Sequence, residues 1–165
     1  MKLRHVWALV LAGAIVSCDG GLAPPEREAG PPYITGLITY RNWPPADSIR
    51  DLRLVLFKNF PPGDIVEEVL SGRAVVYPAI GDTSLVPFFV DSLRYVFTAA
   101  AGTYAYVVVA QQTGPNVQSD WRAVGQYDLD SDPSVPSPVT LADGDTTRGI
   151  DIPVDFLNPP PTPFR

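Results

Sequence analysis

Once the first seventeen residues are set aside, the chain has no histidine, no methionine, one lysine (Lys58) and one cysteine (Cys18). Without an imidazole, neither a Ser-His-Asp triad nor a Cys-His pair can be built. Zinc and copper sites based on His or Cys fall away for the same reason. A lone cysteine excludes a disulfide framework within one chain. Basic residues are scarce too. Removing Lys2 and Arg4 leaves 10 basic against 18 acidic residues, a net charge of −8. That balance argues against nucleic acid and against charge-driven binding to anionic lipid head groups.

What is present begins with MKLRHVWALVLAGAIVSC. Lys2 and Arg4 form a basic opening, and Val6 to Val16 an apolar stretch too short to span a bilayer comfortably as a mature helix. Ile15-Val16-Ser17-Cys18 resembles the bacterial lipobox. The resemblance implies cleavage after Ser17, a diacylglycerol thioether on Cys18, and a membrane anchor made of acyl chains rather than a helix. Residues 18–32, rich in Gly, Pro and charge, read as a flexible tether. Asp19 resembles an inner-membrane retention signal of enteric bacteria. That rule does not carry across lineages, and the expected location is the bacterial cell envelope, at the outer membrane.

From Tyr33 onward the pattern is of short strands broken by turns. Tyr33–Tyr40, Leu52–Phe57, Ala74–Tyr77, Leu85–Val90, Trp121–Tyr127, Val139–Leu141 and Gly149–Phe156 all read as extended. Leu93–Thr98 and Thr103–Ala110 read as a central hairpin about a Gly102 turn, the second strand buried on both faces. Pro153 predicts that the last strand lies at an edge, or has a free edge at that point. Asp64, with Glu67 three residues on and Gly72 beyond, predicts one short helix over 65–71. Residues 157–165 form a Pro-rich tail.

The opening ITGLITY, the middle LRYVF with AGTYAYVVVA, and the closing GDTTRGIDIPVDF together resemble the prealbumin-like, or carboxypeptidase regulatory-like, β-sandwich superfamily. The resemblance implies one all-β, Greek-key sandwich of about seven strands over residues 33–156. It also implies a non-catalytic accessory role. Histidine-dependent hydrolases share that fold, but beyond residue 17 this chain has no histidine to supply.

Two groups of side chains stand out. Asp128, Asp130 and Asp132 alternate in a loop, as hard oxygen ligands for Ca²⁺ would. Pro133 and Val139 stand where an EF-hand has Gly and Glu, so a solvated acidic turn is the alternative. Tyr40, Trp43 and Phe60 lie in or beside loops and are candidates for stacking on a sugar or anchoring a protein partner. Trp121, at a strand start, reads as core. The expectation is a non-enzymatic, lipid-anchored binding or structural module with an envelope protein or glycan partner. A carbohydrate-recognition module is the alternative, and a hydrolase working through carboxylates alone comes third.

Overall fold

The computed structural model describes residues 29–82, 86–130 and 132–163. The strands are β1 (Tyr33–Arg41), β2 (Asp51–Phe57), β3 (Ala74–Tyr77), β4 (Ser92–Thr98), β5 (Gly102–Tyr104), β6 (Tyr106–Gln112), β7 (Trp121–Gln126), β8 (Val139–Leu141), β9 (Thr146–Thr147) and β10 (Ile152–Asp155). A helix, α1 (Ile65–Leu70), lies between β2 and β3. The main sheet runs β3-β2-β6-β7-β10-β1-β4, with β9 attached to β1, while β5 and β8 form a separate two-stranded ladder. Both β10 and β9 pair with β1 in parallel; the other pairings are antiparallel.

The sheet curls on itself, giving an all-β, sandwich-like fold. Its two terminal strands approach through side chains, Tyr77 of β3 stacking on Phe97 of β4 with ring centroids 4.9 Å apart. The curl encloses one core in which Ile34 and Ile38 of β1, Leu52, Leu54 and Leu56 of β2, Val107 and Val109 of β6, and Ile152 and Val154 of β10 are all buried. The alternation expected of β1, β2 and β10 therefore points as the sequence implies.

Two expectations about pairing need correction. First, β4 and β6 are not a hairpin. β4 pairs with β1, Ile34 opposite Phe97, while β6 lies between β2 and β7. The chain between them crosses from one half of the curl to the other, and Tyr104 on the way pairs with Val139 of β8. Alternation specifies a strand and its buried face; it does not specify the neighbour. Second, of the two arrangements Pro153 allows, β10 is not an edge strand: it lies inside the sheet, between β7 and β1. Ile150 and Phe156 donate their N–H groups to Thr35 and Arg41 of β1. By alternation, residue 153 turns toward β7, and that ladder consists of one register pair, Val154 with Gly125. The missing N–H of proline thus falls on the sparsely bonded side.

Two local features concern β7 and the approach to β4. A bulge in the β6–β7 ladder places Ala123 opposite Ala110 but Gly125 opposite Val109. Val124 consequently joins the inner core, while Ala123 lies on the outer face. Val86–Val90 forms bends rather than a strand, with Phe89 at φ 58°; Leu85 is outside the described residues. The tail lies against the sheet, the Thr162 hydroxyl accepting from Ala123 N at 3.1 Å.

Two glycines are required by close approach to backbone, Gly125 against the Pro153 carbonyl and Gly36. A β-carbon at Gly36 would collide with the Ile150 backbone and crowd the Tyr95 hydroxyl. That hydroxyl donates to the Ile150 carbonyl at 2.6 Å.

Candidate functional site

Strand β6 is buried on both faces because a second apolar cluster covers its outer side. Val55 and Phe57 of β2, Tyr106, Val108 and Ala110 of β6, Ala74 and Ala123 meet Ile65 of α1 there. A six-residue helix has too few internal hydrogen bonds to persist alone. Its ends are therefore secured by side chains. Asp64 Oδ1 accepts from Glu67 N at 2.9 Å as the N-cap, as the sequence predicts. Gly72 leaves the helix at φ 71°. Glu68 is buried and bonded by Arg73, Nε to Oε2 at 3.0 Å and Nη2 to Oε1 at 3.2 Å. Burial of Ile65 adds about 1.5–3 kcal/mol.

The helix does not seal this face. A cavity of about 320 Å³ remains between α1 and the sheet, lined by Val55, Val66, Val69, Val76 and Trp121 among others. Its rim carries three apolar side chains held in solvent: Leu70 is 80% exposed, Ile80 72% and Val117 58%. These large aliphatic side chains are grouped about one concavity rather than scattered over the surface. At one end Arg53 Nε meets Asp51 Oδ2 at 2.7 Å, and Arg53 Nη1 donates to the Pro78 carbonyl at 2.9 Å. Gln112 lies beside them. On the helix side a shallow hollow shares Val66 and Leu70 and is edged by Asp64, Glu67 and Gln118.

The β6–β7 loop supplies one wall and is internally braced. The Trp121 indole N–H donates to the Val117 carbonyl at 2.8 Å, and Asp120 Oδ2 accepts from Asn116 N at 2.8 Å. Trp121 therefore packs on the outer cluster and lines the groove at the same time. Its ionisable lining among the described residues is the Asp51–Arg53 pair. That chemistry suits the binding of an apolar group.

The residues singled out in the sequence lie elsewhere. Tyr40 is buried, and Trp43 packs between Tyr40 at 4.8 Å and Phe156 at 4.6 Å, with the exposed Phe89 ring at 5.2 Å. The Trp43 indole N–H is bonded to the Val90 carbonyl at 3.0 Å. Phe60 is not part of that group; it packs on Tyr106 at 5.2 Å. The three aromatics thus form no common platform. Burial pushes the Tyr40 hydroxyl well above the ordinary phenol range, and that hydroxyl has no described partner.

Asp128, Asp130 and Asp132 each accept hydrogen bonds from their own loop. Asp130 N bonds Asp128 Oδ1, Asp132 N bonds Asp130 Oδ1 at 2.7 Å, and both Ser134 N and its hydroxyl bond Asp132 Oδ1. The hydroxyl of Ser134 lowers the Asp132 carboxyl below its usual range. Among the described residues no group of three or more His, Cys, Asp or Glu is placed to hold a metal ion. In this conformation the three carboxylates bond to their own loop and shape a turn. Cys18 and the residues around it lie outside the described residues.

Sequence reasoning missed the groove. The available signal was three isolated aliphatic residues in polar or turn settings: Leu70 before Ser71-Gly72, Ile80 between Pro78 and Gly81, and Val117 in the loop after β6. Compared with protein-family models, with curated proteins and with solved structures, the chain matches none.

Proposed function

We propose that the chain is a non-catalytic, lipid-anchored binding module of the bacterial envelope, attached through Cys18 and working through the groove beneath α1. The observation that carries this reading is the ring of solvent-held aliphatic side chains about an apolar cavity, on a domain that is otherwise acidic. The topology supports the arrangement. The chain joins the sheet at Tyr33, beside Thr98 and Thr146, with Gly144 N bonded to the Gly30 carbonyl. Asp51, Gln112 and Trp121 stand in register with one another toward the end where β1 finishes. Tyr33, where the chain joins the sheet, and the polar end of the groove thus lie at opposite ends of the sheet.

The anchor is tested by growing cells with an alkyne-tagged fatty acid. Label on the wild-type chain, lost in Cys18→Ala, is the expected result. A wild-type chain without label, retaining its full amino terminus by mass spectrometry, would overturn the anchored reading.

A further inference from the structure

The groove has a polarity that narrows its ligand. Apart from Trp121 and the polar end at Asp51, Arg53 and Gln112, the walls are aliphatic, with Val55, Val69 and Val76 inside and Leu70 and Ile80 at the exposed lip. A cavity of about 320 Å³ is at the small end of ligand pockets. It admits one or two bulky apolar side chains and not a folded domain. The charges on the groove and its adjoining hollow are three carboxylates, Asp51, Asp64 and Glu67, against the guanidinium of Arg53 and that of Arg73 beside Glu67. Arg53 is already committed to Asp51. Glu67 faces solvent at the helix edge, its carboxylate 3.3 Å from Arg73. An anionic amphiphile, such as a fatty acid or an acidic phospholipid, finds no uncommitted cation among these residues and meets net negative charge. A polypeptide segment carrying Lys or Arg beside its apolar residues meets the complementary arrangement.

We infer that the groove between α1 and the outer face of β2 and β3 receives an apolar–basic segment of a partner polypeptide. Its aliphatic side chains fill the cavity, and its cations lie along Asp64 and Glu67. This rests on the binding-module reading, and it specifies the ligand class.

The probe is a short fluorescent peptide of alternating Leu and Lys, titrated against the full chain anchored in phosphatidylcholine vesicles. Saturable binding is expected. Exchanging the exposed rim in Leu70→Ser/Ile80→Ser weakens it about tenfold or more, as loss of buried apolar anchors does. Glu67→Lys weakens it severalfold and flattens its dependence on salt. A peptide with Glu in place of Lys does not bind. Both substitutions alter exposed side chains, so the fold is retained, and circular dichroism verifies it. Peptide binding that is equal in all variants, or equal for the Glu peptide, overturns the inference.

A Leu70→Cys chain separates the other occupants. Its thiol is expected to react with a water-soluble maleimide on the vesicle and to be protected when the Leu–Lys peptide is added. Protection before any peptide is present makes the membrane the occupant and overturns the inference. So does displacement of the peptide by decanoate at equal concentration. Maleimide labelling of the unmutated chain reports a free Cys18 thiol, which counts against the anchor and leaves the groove to be judged by the titration.

Discussion

Tyr106 is fully buried, and its hydroxyl has no described partner; the Tyr40 hydroxyl is in the same position. A buried polar atom without a hydrogen bond carries its desolvation cost uncompensated. Tyr106→Phe and Tyr40→Phe are therefore expected to be neutral or to stabilise by up to about 1 kcal/mol in urea unfolding. A loss larger than about 1 kcal/mol in either would mean that the hydroxyl is bonded in solution. Gly36→Ala should do the reverse. Its methyl group meets the Ile150 backbone rather than a movable side chain, and a cost above about 3 kcal/mol is expected. Asp155 has a pH-dependent role. Asn42 and then Asn158 donate to its carboxylate and hold its pKa at about 2. The folded value lies below the unfolded value of about 3.9, so its contribution is present above about pH 4 and lost as pH falls toward 2. Asp155→Asn should flatten the stability–pH curve in that window. An unchanged acid limb would show that those bonds do not persist in solution.

At the level of elements, α1 was legible in full. Asp64 caps it, the six residues Ile65–Leu70 form it, and Gly72 lies just past its C-cap Ser71. What it covers was not legible, because a helix of this length has too few turns to show which residues face the sheet. Removing the cap in Asp64→Ala should cost about 1 kcal/mol. Removing the partner of buried Glu68 in Arg73→Ala should also lower stability, because it strands a carboxylate under the helix. Both losses are read by denaturation, and both should also raise hydrogen exchange in Ile65–Leu70. Strand pairing was the other gap. β4 and β6 each have the periodicity and burial their residues imply, yet they belong to different halves of the curl. The seven residues 99–105 between them, Gly102-Thr103-Tyr104 included, read as a turn locally and act as a crossing, tied down by the Tyr104 hydroxyl bonded to the Ala100 carbonyl at 3.0 Å. Local sequence states which face is apolar; only the closed sheet states what lies against it.

Across the whole molecule, an all-β domain was legible from absence and rhythm together: turn residues punctuate every apolar stretch, and no long helical period occurs. The groove was not legible because its walls come from β2, α1, β3, the Ile80 turn and the β6–β7 loop. Each contributes one or two aliphatic residues that look incidental alone. The curl also buries phenols. Burial raises Tyr40, Tyr95 and Tyr106 above the usual phenol value, the Asp151 charge adding to the effect at Tyr95. Raised folded values mean full stability below about pH 10 and a loss as pH rises beyond it. Alkaline unfolding followed by circular dichroism and tyrosinate absorbance together should show the phenols ionising with the loss of the sheet, not before it.

The most direct measurement is a map of backbone amide shifts by nuclear magnetic resonance as the Leu–Lys peptide is added. The account predicts that the shifts concentrate at Val55, Val69, Val76 and Trp121, leaving the Trp43–Phe89 aromatics and the Asp128–Asp132 turn unmoved. Shifts centred on those aromatics or that turn, with the groove silent, would contradict it.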